Sequence, residues 1–167
     1  MTPAFARPQR SNEETALLNP AFLATVIHRA VGGFEREVKT GMPFALAFLV
    51  PPVVLVESVR SALPSRVDSS LATWLQANPG SRLQFAENAA ALVPVAREGL
   101  MFGIARNVLT LADDRVRATP LPRGAATLMS KNTKDFQDVL NHANFVGRWY
   151  AHAGTAETIM TLWGVRP

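Results

Sequence analysis

Apolar side chains recur at helical spacing after Asn19-Pro20, a helix start signal in which the proline occupies the first helical position without losing a hydrogen bond. Gly32-Gly33 lies within the pattern and permits a bend or a close backbone contact. The pattern therefore predicts an amphipathic helix, and the capping box Ser11–Glu14 predicts a shorter helix before it. The apolar positions of the longer helix are Leu23, Ile27, Val31, Phe34 and Val38.

The C-terminal part of the sequence has the same helical period. One helix is predicted from Thr133 to about Ala153, ending at Gly154, and a last one from Thr155 to Gly164. The apolar face of the longer helix consists of Phe136, Val139, Leu140, Ala143, Val146 and Tyr150.

The segment from Thr40 to Val56 carries no charged residue. It is shorter than the 18 or so residues of a membrane span and is broken by Pro51-Pro52, so we interpret it as a buried segment and expect no membrane insertion. We predict one buried helix up to Val50 and a second from Pro52 to Ala62.

Three short helices and a hairpin are predicted between residues 68 and 119. The helices are Asp68–Ala77, Ser81–Leu92 and Pro94–Arg106, and the hairpin joins residues 107–111 to 115–119 through a turn at Asp113-Asp114. This is the element order of a winged helix. The predicted fold is therefore mainly α, with a flexible leader (1–11) and one domain (12–167) that comprises N-terminal helices (12–64), a winged-helix-like core (68–119) and C-terminal helices (133–164).

Four arginines lie where a winged helix contacts its partner. Arg97 and Arg106 are on the recognition-helix equivalent, while Arg115 and Arg117 share one face of the wing because alternate strand residues point the same way. They suit phosphate groups, but the helix has few polar groups to read base edges. Contact with DNA, contact with a protein, and a mistaken winged-helix assignment all remain open.

Composition narrows the class of protein. The chain has 167 residues, of which 48% are apolar and 18% charged, so intrinsic disorder is excluded, and the absence of cysteine excludes disulfides. A net charge of +4 suits either a nucleic-acid backbone or an acidic protein surface. No signal peptide pattern is present at the start of the sequence, so we expect a cytoplasmic protein.

The sequence contains no phosphate-binding glycine loop, dinucleotide fingerprint or serine elbow. Asp138 and His142 lie four residues apart on one helix and His152 follows, which raises a metal-binding hypothesis, although a solvated helix face explains the same pattern. We predict a protein that is not an enzyme and has neither a metal nor another cofactor.

The C-terminal helices are rich in aromatic residues. Trp, Tyr and Arg are the residue types that most often anchor interfaces, so this region is either ordinary core or a surface for docking a partner. The candidate docking residues are Phe145, Arg148, Trp149 and Trp163.

Five stretches carry a family resemblance: residues 14–22 (ETALLNPAF), 41–51 (GMPFALAFLVP), 97–103 (REGLMFG), 145–151 (FVGRWYA) and 162–167 (LWGVRP). They resemble the middle component of bacterial three-component ABC systems, and the resemblance extends over nearly the whole chain from Asn12. It provides no catalytic motif.

The resemblance implies a small accessory subunit that connects or regulates two partners: a coiled-coil ABC ATPase of the SMC/Rad50 kind, and a third, variable component. Such systems are thought to act against phages and plasmids. Duplex DNA is a possible further partner, and the chain is a possible homodimer. The alternative hypothesis is a stand-alone winged-helix regulator that binds DNA.

Overall fold

The computed structural model describes residues 18–125, 127 and 131–166. The predicted mainly α class is confirmed, whereas the predicted leader and the helix at Ser11 lie outside the described residues. In chain order, the elements are α1 (Pro20–Val38), β1 (Met42–Pro43), α2 (Phe44–Ala47), α3 (Val50–Val54), α4 (Glu57–Arg60), α5 (Leu71–Ala77), α6 (Pro79–Ala105), β2 (Leu109–Ala112), β3 (Arg115–Ala118), α7 (Lys134–His152) and α8 (Ala156–Trp163).

Helices α1, α7 and α8 confirm the predictions from spacing and caps. The Asn19 side chain accepts a hydrogen bond from the Ala21 amide, at 2.8 Å. Thr133 and Thr155 cap α7 and α8 in the same way, and α8 ends at Gly164 in the left-handed conformation. The local sequence therefore fixes where these helices begin and end.

The predicted helix boundary at Pro94 is wrong, because α6 continues through it. Two helices were expected there, but one helix of 27 residues runs from Pro79 to Ala105 with Pro94 inside it. Pro94 has no N–H to donate to the Ala90 carbonyl, yet both residues are exposed, so water can solvate that carbonyl. Phe85 on one side of the proline and Ala96 on the other are fully buried, or nearly so, and hold the helix together.

The winged-helix assignment is not confirmed, because two helices rather than three precede the hairpin between residues 68 and 119. The first of them also starts later than predicted, at Leu71, where the Ser70 hydroxyl accepts a hydrogen bond from the Thr73 amide at 3.2 Å. The element order that suggested a winged helix is therefore absent from this segment.

The uncharged segment is buried as predicted, but the two predicted helices are wrong. It contains β1 and the short helices α2 and α3, and α4 follows. Pro43 precedes α2, and Pro51 and Pro52 sit in the first turn of α3, where their missing N–H groups cost nothing. The prolines thus divide an apolar run that periodicity alone could not divide.

The predicted hairpin is confirmed, and a third strand pairs with it to form a small sheet. Asp113 and Asp114 form its two-residue turn with φ of 52° and 57°, as in a type I′ turn. Strand β1 pairs antiparallel with β3 through Met42 opposite Val116, so the strand order is β1-β3-β2.

Helix α1 lies in the middle of the helical layer and packs most extensively against α7, then α6. A Cβ atom at Gly33 would overlap the Asn144 carbonyl oxygen, and one at Gly147 would overlap the Ala30 carbonyl oxygen. The backbones of α1 and α7 therefore touch directly. Within the described ranges, none of the helices combines the length and the apolar character that crossing a membrane requires.

Candidate interaction surfaces

The four predicted contact arginines occupy two elements. Arg115 and Arg117 lie on the same exposed face of β3, as predicted. The Arg115 guanidinium donates to the Gly41 carbonyl at 2.7 Å, and that of Arg117 is 3.5 Å from the Glu35 carboxylate, which reduces the positive charge of this face. Arg97 and Arg106 are exposed on α6 and at its end.

The predicted docking residues separate into two groups. Trp149 and Trp163 have 0% of their surface exposed, so they belong to the core and offer no surface to a partner. Trp163 stacks on Phe85 with ring centroids 4.1 Å apart, and Trp74 meets Trp149 edge to face at 5.4 Å. The core interpretation therefore holds for both tryptophans.

Phe145 and Arg148, in contrast, are partly exposed and line a groove between α1 and α7. This α1–α7 groove has a volume of about 370 Å³ and mostly polar walls. Its lining residues are Arg29, Arg36, Leu140, Asn141, Asn144, Phe145 and Arg148. Three guanidinium groups and two carboxamides thus share one depression.

Glu37 lies next to this groove and holds its α7 wall in place. The Arg148 Nε donates to one Glu37 carboxylate oxygen at 2.6 Å, and the His152 Nε2 lies 3.0 Å from the other. These two hydrogen bonds hold the pKa of the Glu37 carboxyl below its ordinary value. Glu37 is therefore a carboxylate at neutral pH and compensates the charge of Arg148.

Of the three residues of the metal hypothesis, Asp138 and His142 meet, with the His142 Nδ1 3.3 Å from an Asp138 carboxylate oxygen, but His152 does not join them. Asp138 accepts a hydrogen bond from Arg60 Nε at 2.9 Å, and the His142 Nδ1 lies 2.8 Å from the Asp138 carbonyl oxygen. His152 is instead paired with Glu37. In the part of the chain that the structure describes, no group of three or more His, Cys, Asp or Glu residues is placed to hold a metal ion.

Helix α6 carries an exposed apolar surface that the sequence analysis missed. Leu83 is 68% exposed and Met101 is 64% exposed. They are 18 residues apart, which is five helical turns, so they lie on one line along the helix about 27 Å apart. Ala90 and Pro94 are exposed between them on the same line. We call these four residues the α6 stripe.

An apolar groove adjoins the α6 stripe at Leu83. It has a volume of about 620 Å³ and is formed by α5, the start of α6 and α8. Arg82 lies at this groove, with its guanidinium 3.5 Å from the position of a Cβ on Gly164. The apolar residues that line the groove are Ala72, Leu75, Pro79, Leu83 and Leu162.

The fold and these surfaces define a class: a mainly α protein with a small antiparallel sheet, an exposed apolar helix face and a basic groove. The chain belongs to the family described as ABC-three component (ABC-3C) system Middle Component 3, whose model matches residues 8–167. No curated protein and no solved structure shows a significant match. The family membership confirms the resemblance to middle components of three-component ABC systems.

Proposed function

We propose that this middle component links an SMC/Rad50-like ATPase to the third component of its system. In this proposal it is a non-catalytic, cytoplasmic accessory subunit of a system that defends bacteria against phages or plasmids. The observation that carries the proposal is the α6 stripe. Large apolar side chains as exposed as Leu83 and Met101, aligned on one helix face, are typical of a surface that a partner covers.

The shape of the α6 stripe favours a helical partner. By the rise of an ideal helix it is about 27 Å long, it is only one helix wide, and an apolar helix face of this kind packs against the apolar face of another helix. A coiled-coil ATPase provides long helices with apolar seams. The α6 stripe is therefore the surface that we assign to the ATPase.

The flanks of the α6 stripe fit this assignment. Glu87, Arg97 and Glu98 are exposed beside it, so an apolar strip is bordered by charges of both signs. Borders of this kind set the register and orientation of paired helices while the apolar strip supplies most of the affinity.

Co-expression with the SMC/Rad50-like ATPase of the same system tests the proposal. The wild-type chain should co-purify with the ATPase, and the double variant Leu83→Glu/Met101→Glu should not, because both carboxylates would be buried without a partner. Leu111→Glu is the matched control, since Leu111 is an exposed leucine (46%) on strand β2 and is not part of the α6 stripe.

The control variant should retain co-purification. A wild-type chain that binds neither the ATPase nor the third component would refute the linking function. Retained binding by the double variant would instead refute the assignment of the α6 stripe. Light scattering on the isolated chain determines whether it forms the homodimer considered above.

A further inference from the structure

We infer that the α1–α7 groove binds a phosphate group, carried either by a free nucleotide or by a nucleic-acid strand. The inference rests on the groove alone and is independent of the α6 stripe and of the ATPase.

Two of the three arginines of the groove have no acidic partner among the described residues. Arg148 is paired with Glu37, but among the described residues neither Arg29 nor Arg36 forms an ion pair, and none of the residues that line the groove is acidic. Two guanidinium groups therefore contribute a positive charge of about +2 to one depression, and a concave site concentrates that field.

Arg29 has an unused donor. Its Nε atom is buried and has no hydrogen-bond partner within the described part of the chain. A buried donor without a partner costs about 1–3 kcal/mol, and a turn of this side chain, which lines an open groove, would expose the donor to an acceptor from outside. Guanidinium groups donate two parallel hydrogen bonds to phosphate oxygens.

The polar residues on the two walls of the groove have the same spacing along their helices. Arg29 and Arg36 are seven residues apart on α1, and Asn141 and Arg148 are seven apart on α7, so each pair projects from one helix face over about 10 Å. Asn144 lies between the latter two and also lines the groove. This length accommodates a nucleotide or a short piece of a single strand.

Phe145 favours phosphate with an attached base over a protein carboxylate. Its ring is partly exposed in the same groove as the three arginines. Proteins that bind single strands combine basic grooves with aromatic rings on which bases stack. The exposed Asn141 carboxamide adds donors and an acceptor that can meet base edges, whereas the Asn144 Nδ2 donates to the Arg29 carbonyl at 3.5 Å.

Fluorescence anisotropy on the full chain provides the test, with a labelled single strand of about 20 nucleotides, the matching duplex, and competition by ATP or inorganic phosphate. At low salt, Arg29→Gln/Arg36→Gln should weaken binding roughly tenfold or more. It should also reduce the slope of log affinity against log salt concentration by about 1.4 for the single strand and about 1.8 for the duplex. The matched control is Arg123→Gln/Arg166→Gln, which removes the same two charges from exposed positions outside the groove and should change affinity less than about twofold.

Asn141→Asp keeps the test decisive if the loss of Arg29 disturbs folding. Asn141 is exposed, so a carboxylate is tolerated there and should repel phosphate. Competition by ATP well above that by inorganic phosphate assigns the groove to nucleotides, whereas binding of the strand without competition by ATP assigns it to nucleic acid. The inference is overturned if no phosphate probe binds, if the groove pair and the control pair weaken binding equally, or if only Arg97→Gln/Arg106→Gln weakens it.

Discussion

Gly32 and Gly33 are neighbours in α1, yet an alanine should have opposite effects at the two positions. A Cβ at Gly32 would meet no atom within 4 Å. A Cβ at Gly33 would overlap the Asn144 carbonyl oxygen and come within 3.2 Å of the Arg148 side chain. The pair thus compares the same substitution in the same helix, with and without a backbone in the way.

The magnitudes follow from helix propensity and packing. Alanine is more favourable than glycine inside a helix by about 0.5–1 kcal/mol, so Gly32→Ala should stabilise the protein by that amount. Gly33→Ala makes the same gain, but it forces α1 and α7 apart, and overpacking costs about 1–3 kcal/mol or more. Because a backbone carbonyl cannot swing aside as a side chain does, we expect a net loss of about 2 kcal/mol.

Urea unfolding and calorimetry measure both effects. For a chain of this length, 1 kcal/mol shifts the melting temperature by about 2–4 °C, so Gly32→Ala should melt slightly higher than wild type and Gly33→Ala several degrees lower. Two variants that shift in the same direction would show that α1 and α7 do not touch as described, and a Gly33→Ala protein as stable as wild type would show the same.

Three further predictions concern individual side chains. Burial raises the pKa of Tyr150, whose hydroxyl donates to the Leu49 carbonyl, so as pH rises above 10 the unfolded state loses its proton first and stability falls by about 1.4 kcal/mol per pH unit. Since Tyr150 is the only tyrosine of the chain, tyrosinate absorbance should appear together with unfolding and not before it. The pKa of Glu37 is lowered by Arg148 and His152, so the stability lost in Glu37→Gln should be measurable at pH 7 and should shrink as pH falls below 4.5, where the unfolded carboxyl is protonated. Asp138→Ala should cost about 1–3 kcal/mol, because the largely buried Arg60 loses its charged acceptor and keeps the Val54 carbonyl. A chelator should leave the wild-type melting temperature unchanged, and a lower melting temperature would show that Asp138 holds a metal.

The parts of the fold that were predictable are those that local chemistry determines. Asn19, Thr133 and Thr155 each supply a side-chain oxygen at a helix start, and Gly164 supplies the left-handed residue at a helix end. The hairpin followed from the change of period and from two aspartates, which tolerate positive φ.

The parts that were not predictable depend on tertiary contacts. Helix α6 has apolar residues on all sides, so its sequence indicates neither a buried face nor continuity through Pro94. The buried face and the continuity of the helix depend on tertiary packing, which buries Phe85 and Ala96 and leaves Leu83 and Met101 exposed. Strand β1 is two residues long and exists because β3 lies beside it.

The α1–α7 groove illustrates the same limit. The sequence pointed to Phe145 and Arg148 on one wall through their residue types, but it gave no sign that Arg29 and Arg36 face them across more than 100 residues of chain. The available signal was Gly32-Gly33, which permitted either a bend or a close backbone contact and did not indicate a partner. Gly147 on α7 provides the matching small residue.

The position of α1 bears on how the two proposed surfaces relate. Gly99 on α6 leaves space for Leu23 of α1, where an added Cβ would come within 2.6 Å of the Leu23 Cβ, and Gly33 brings a neighbouring face of α1 onto α7. Close contacts of this kind leave little room for one helix to slide past another. Among the described helices, α1 is therefore packed too closely on both neighbours for a ligand in the α1–α7 groove to alter the α6 stripe by sliding it. Because coupling requires an element with two arrangements, this fold predicts a subunit that holds a phosphate-bearing ligand and a protein partner independently.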